Sequence, residues 1–222
     1  MTPHPKFATT VLSFDGATAS LVRLAARITG SSEAEVREAF AECSGAGVPP
    51  VWVEEVVLQS YLFAGVPRAL NAAREWRRAL GGSGAERTER TERTEHMGSY
   101  ENVFSWRTQG EETCEIVYGK NYEKLRENIR ALHPALDDWM IVEGYGKVLS
   151  RPGLDLQRRE LCIIAACVAA GQDRQLHSHL HGALNAGVPT AVVTAALDCL
   201  EGAVDPTNLK RAQMLWARVQ GK

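Results

Sequence analysis

Apolar residues recur at helical spacing along most of the chain. Between residues 15 and 28, Leu21, Leu24, Ala25 and Ile28 fall at i, i+3, i+4 and i+7, one face of a helix that Gly30 ends. Ser32 with Glu35 three residues on is the signature of a capping box, and it opens a second helix running to about Cys43. Pro50 opens a third, VWVEEVVLQSYLF, in which Val53, Val56, Val57 and Tyr61 repeat at helical spacing before Gly65 and Pro67. A fourth helix from Pro67 carries Leu70, Ala73 and Leu80.

The pattern then fails. GGSGAERTERTERTEHMGS holds no large apolar residue before Met97, so it cannot bury a core and is expected to be a flexible charged linker, residues 81–106. Helical spacing returns at residues 111–118 and 121–132, and again around Leu136, Trp139, Met140 and Val142. Residues 156–170 form the first arm of a helical hairpin, with Leu161, Ile164, Ala165 and Val168 on one face and Gly171 as its end. The second arm runs to Ala186, Pro189 opens another helix to Leu200, and a last one from Thr207 carries Leu209, Met214, Leu215 and Val219. Nothing alternates as a half-buried strand does, so the fold class is all-α.

Two parts of the chain agree in type. Setting Ala186-Gly187-Val188-Pro189 over Ala46-Gly47-Val48-Pro49 gives an offset of 140 residues, and helix, break, helix, AGVP, helix then recurs in register. The expected organisation is a degenerate N-terminal helical repeat (1–80), the linker, and a C-terminal repeat (107–222). In this register Glu160 lies over Ser20 and His179 over Ala39, so the first copy keeps the scaffold without the ionisable groups.

The histidines draw attention to the hairpin. On a helical wheel Leu176, Leu180, Ala183 and Leu184 form the buried face of the second arm, with His179 at one border and His177 and His181 at the other. A border imidazole is partly desolvated and still meets a ligand, which suits acid/base work. His177 and His181 at i, i+4 could take a cation from one face, but His179 points about 200° from His177, so the three cannot share one ion. No native metal is expected. Glu160, near the start of its helix, is also compatible with a purely structural macrodipole role. At 1.5 Å per residue Glu160 sits about 18 Å from the hairpin turn and His179 about 10 Å, a mismatch that argues against ideal direct contact and leaves helix tilt, a long Glu rotamer or a bridging water to couple them.

Composition narrows the classes. With 25 basic and 27 acidic residues the net charge is −2, no footprint for nucleic acid or an anionic membrane. The start of the chain lacks a signal-peptide pattern and no apolar run reaches spanning length, so a cytoplasmic protein is expected. Five scattered cysteines without a C-x-x-C pair read as buried free thiols.

The sequence resembles the carboxymuconolactone decarboxylase family, within the alkyl hydroperoxidase D-like helical superfamily. The likeness is carried by Arg159-Glu160-Leu161, by His179-x-x-x-Ala183-Leu184-x-x-Gly187 and by YGKVLSRPGLD at residues 145–155, and in the first copy by AGVPRALNA at residues 64–72. The resemblance implies an alkyl hydroperoxidase D-like helical bundle in two tandem repeats, and a carbon–carbon lyase that decarboxylates a small lactone carboxylic acid without a cofactor. His179 is then the general acid/base, Glu160 its orienting or relay group, and Arg159 and His177 candidates for holding the substrate carboxylate. It also implies a homo-oligomer, a trimer for a duplicated chain. The peroxidase branch places two cysteines where this chain has Gln172 and Gln175, so thiol chemistry of that type is not expected. The decarboxylase branch commonly has a glutamate where Gln175 stands, which leaves open a non-catalytic ligand-binding or assembly protein on the same scaffold.

Overall fold

The computed structural model describes residues 12–80 and 100–221. Every regular element among these residues is helical. Asp15 caps α1 (Gly16–Gly30) by accepting the Thr18 N–H at 2.8 Å, and Ser32 and Glu35 close a reciprocal capping box on α2 (Glu33–Gly45). Pro50 begins α3 (Pro50–Gln59). The single helix expected through Phe63 is interrupted: the Ser60 hydroxyl donates to the Val57 carbonyl at 2.7 Å, and the chain continues as one turn, α4 (Tyr61–Ala64). Gly65, with φ of 84°, then turns it into α5 (Val66–Ala79).

Of the expected linker, residues 81–99 lie outside the described residues. From Tyr100 onward the chain is helical, so residues 100–106 belong to α6 (Tyr100–Tyr118). A 3₁₀ turn (Gly119–Asn121) leads into α7 (Tyr122–Leu132), and Pro134 opens the short α8 (Pro134–Trp139). The chain then winds as a π-helix, Met140–Leu149, a geometry that apolar spacing alone does not announce. Its packing requires glycine. A Cβ on Gly146 would lie 2.1 Å from the Trp106 carbonyl oxygen, and one on Gly110 would lie 2.2 Å from that of Ile141. Two bare backbones therefore meet where α6 crosses the π-helix.

The hairpin is formed by α9 (Leu156–Ala170) and α10 (Asp173–Asn185), joined at Gly171, which is left-handed with φ of 64°. Then come α11 (Thr190–Asp198) and α12 (Pro206–Val219). The recurrence is kept in the helix boundaries: α1 and α9, α2 and α10, and α5 and α12 each begin and end 140 residues apart. The two halves share one core. Leu21, Leu24 and Ile28 of α1 and Leu161, Ile164 and Val168 of α9 belong to the same buried cluster. α1 and α9 run side by side in the same direction, with Arg158 Nε 3.2 Å from Thr18 Oγ1 near their starts and Gly30 against Ala169 near their ends.

The ends of α7 and α8 are tied by buried Asp137, which accepts from Arg126 Nη2 at 3.0 Å and Arg130 Nη2 at 2.8 Å. These partners, Arg126 first, hold its carboxyl below the usual aspartate value of 3.8. A lowered native pKa adds stability that is present above the unfolded value and lost as pH falls through the folded one.

Gly146→Ala is expected to destabilise the fold by about 3 kcal/mol or more, because neither backbone can yield, measured as a urea midpoint shift. Asp137→Asn is expected to lower Tm near neutral pH, with the gap to wild type closing as pH drops below about 4, in thermal scans across that range.

Candidate functional site

Helix α9 is buried on nearly every side, from Arg159 through Val168 without interruption, so it is the central helix of the bundle. Two consecutive charged residues lie on it with no exposed surface at all, Arg159 and Glu160. Charges taken that far from water need partners. Glu160 is in the second turn of α9, past the positions where the macrodipole alone would account for a carboxylate.

Arg159 faces the N-terminal half. Its Nη2 donates to Glu55 Oε2 at 2.8 Å and to the Arg151 carbonyl at 3.1 Å, Nε donates to the Leu154 carbonyl at 3.1 Å, and Nη1 to Gln59 Oε1 at 3.3 Å. Gln59 Nε2 returns a bond to the Arg159 carbonyl at 3.1 Å, and Arg151 also pairs with Glu55. The guanidinium is thus committed to holding α3 and the loop before α9, and we do not place it in a substrate subsite.

Glu160 faces α10. Its Oε2 lies 2.9 Å from His179 Nδ1. Helix arithmetic sets these residues too far apart for ideal contact, and the structure corrects it through side-chain reach and one glycine. Gly182 stands three residues after His179 on the same face of α10, and a Cβ there would be 2.7 Å from both Glu160 Oε2 and Val117 Cγ1. Its bare backbone lets the carboxylate lie against α10 and reach the imidazole. An unusual glycine inside an amphipathic helix is the sequence signal for this.

With Glu160 ionised, an Nδ1 hydrogen is fixed toward Oε2 and Nε2 is the nitrogen left to give or take a proton, an arrangement assigned from this contact. His179 is 6% exposed, and Nε2 has no hydrogen-bond partner among the described residues. The Phe63 ring from α4 meets the imidazole edge-on, centroids 5.8 Å apart, so the N-terminal half supplies one wall. The other Glu160 oxygen, Oε1, is buried and has no hydrogen-bond partner among the described residues. An unpaired carboxylate oxygen in a dry site is costly unless a ligand, water or proton meets it.

The acidic groups around Glu160 are held neutral. Burial pushes the Tyr118 hydroxyl up to about 12 and that of Tyr145 well above its usual range, with the Glu160 charge adding to both. Burial likewise pushes the Cys167 thiol up to about 12, and raises Cys114 and Cys162 strongly. These are thiols rather than thiolates at neutral pH. Gln172 takes the N-cap position of α10 and Gln175 is exposed.

His177 is exposed and meets His181, centroids 4.9 Å apart, away from the Glu160–His179 pair. No group of three His, Cys, Asp or Glu residues capable of holding a metal ion occurs among the described residues. At the counterpart positions of the first half, Ser20 and Ala39 are buried. A cavity of about 540 Å³ opens between α6, the end of the π-helix and the start of α9, lined by Thr113, Leu149, Arg151, Leu154 and Leu156 among others. It does not include Glu160 or His179, although Thr113 and Leu156 stand one turn before Val117 and Glu160. No helix among the described residues is long and apolar enough to cross a membrane.

Comparison with known proteins points to the same stretch of the chain. Residues 134–206, which contain both Glu160 and His179, match the model of the carboxymuconolactone decarboxylase family. A stretch of 78 residues, 35% of this chain, is 31% identical to a 4-carboxymuconolactone decarboxylase of Acinetobacter baylyi. The match spans 58% of that relative's length. Through this segment the chain is similar to the carboxymuconolactone decarboxylase family.

Proposed function

We propose that the chain is a cofactor-free carboxy-lyase acting on a small lactone carboxylic acid, with His179 as the general acid/base and Glu160 as the group that orients it. The observation that carries this reading is the direct contact, at 2.9 Å, between a fully buried carboxylate and a nearly buried imidazole. The match to a family with a decarboxylase member supports the reaction class.

In the step proposed, the bond to the substrate's carboxylate carbon breaks, carbon dioxide leaves, and the electron pair stays on the lactone as an enolate-type anion. His179, protonated on both nitrogens, delivers the Nε2 proton to that anion and regains one from water. The charge on Glu160 stabilises the imidazolium and keeps the ring in register. Burial of the pair beside Phe63 and Val117 keeps water from levelling these charges.

The 140-residue recurrence supports an internal duplication in which only the second copy retains ionisable groups, Ser20 and Ala39 standing opposite Glu160 and His179. Exposed apolar side chains on α6 and α8, Phe104 and Trp139, lie on elements joined by the Arg107–Asp138 ion pair. They support self-association, with a trimer as the proposed state. One observation favours a second reading, a ligand-binding protein without turnover: the 540 Å³ cavity does not reach the Glu160–His179 pair.

Incubating the purified chain with 4-carboxymuconolactone and measuring carbon dioxide release is expected to show turnover. His179→Ala should lower kcat by about 100-fold or more, and Glu160→Gln by roughly 10-fold or more, with the helical circular-dichroism signal unchanged. Full activity in both variants sinks the mechanism. Lactone acids that bind the wild-type chain without releasing carbon dioxide would instead support the second reading.

A further inference from the structure

Helix α10 carries a second imidazole pair whose surroundings differ from those of His179. His177 and His181 are one turn apart, both are exposed, and their rings meet edge-on with an interplanar angle of 73°. Neither is drawn into a hydrogen bond with another described side chain, and neither touches the Glu160 carboxylate, which is engaged by His179. The run HSHLH is therefore divided, with its middle histidine turned inward and the outer two facing water.

We propose that His177 and His181 form a chelate for a late first-row divalent cation, of the Zn²⁺, Ni²⁺ or Cu²⁺ class. Three observations carry this. The first is spacing: i, i+4 histidines on a helix present imidazole nitrogens to one point in space. The second is the distance already present between the rings. With metal–nitrogen bonds of about 2.0–2.1 Å an ion sits roughly 3.2 Å from each ring centre, and a near-tetrahedral angle then sets the centres about 5 Å apart. The observed separation is 4.9 Å, so chelation needs ring rotation but no backbone movement.

The third is the state of the neighbours. Asp173, one turn earlier on the same stripe, has both carboxylate oxygens occupied by Arg211, at 2.7 and 3.0 Å, so it neither neutralises the histidines nor competes for the ion. Two imidazoles suit borderline cations and not Mg²⁺ or Ca²⁺, which want a cage of oxygens. With only two protein ligands, the remaining coordination positions belong to water or to an incoming ligand, making this an exchangeable site.

The test is calorimetric titration of the full chain at neutral pH with zinc chloride, nickel chloride and magnesium chloride, on wild type, His177→Ala, His181→Ala and His179→Ala. Both outer residues are exposed, so their variants are expected to fold, which circular dichroism checks. Wild type should take up about one zinc or nickel ion per chain and no magnesium. Each outer variant should bind at least tenfold more weakly, while His179→Ala keeps the site. Wild type that binds neither zinc nor nickel at millimolar concentration, outer variants that bind like wild type, or loss of the site in His179→Ala each overturns the proposal.

Discussion

Two adjacent charges on the central helix organise this molecule. Arg159 and Glu160 point to different neighbours from the middle of a bundle in which water is not available to solvate them. Each must find its counter-group inside the protein, and each finds it on a different helix: Glu55 on α3 for the arginine, His179 on α10 for the glutamate. The desolvation cost of such groups is several kcal/mol apiece when unpaired, far above what any surface contact returns. The positions of α3 and α10 against α9 are thereby specified more narrowly than apolar packing alone would specify them. The pairings differ in kind. Arg159 is surrounded by four acceptors and is structural, whereas Glu160 keeps one oxygen unmatched and leans on a side chain of the type that titrates near neutrality.

The helical framework is largely legible in the sequence because its signals are local. The Ser32–Glu35 box, Pro50 and Gly171 each act within a few residues, and α9 starts and ends where periodicity places it. The 140-residue register is legible for the same reason. Other features depend on contacts between distant segments. The π-helix at residues 140–149 crosses α6 backbone to backbone, a contact that only the facing glycines betray. The break at Ser60 hides in an unbroken apolar pattern.

The candidate site divides in the same way. Glu160 and His179 can be singled out from their helix positions, but their contact cannot, because a one-dimensional rise per residue takes no account of side-chain reach or of the room that Gly182 leaves. Arg159 reads as a carboxylate anchor because nothing in the sequence tells an outward arginine from one aimed at a glutamate 104 residues away. Phe63, contributed by the opposite half of the chain, has no sequence signal pointing to His179.

The Glu55–Arg159 pair also bears on where this protein can be cut. The segment that matches the family, residues 134–206, contains the arginine, the glutamate and the histidine, yet the arginine's counter-charge lies in the other half of the chain. Separated from residues 12–80, it would carry a buried cation with no anion, an α9 face stripped of α1, and an imidazole missing its aromatic wall. The unit recognisable by sequence similarity is thus smaller than the unit over which the buried charges are matched. The half without the carboxylate–imidazole pair serves as the charge partner of the other.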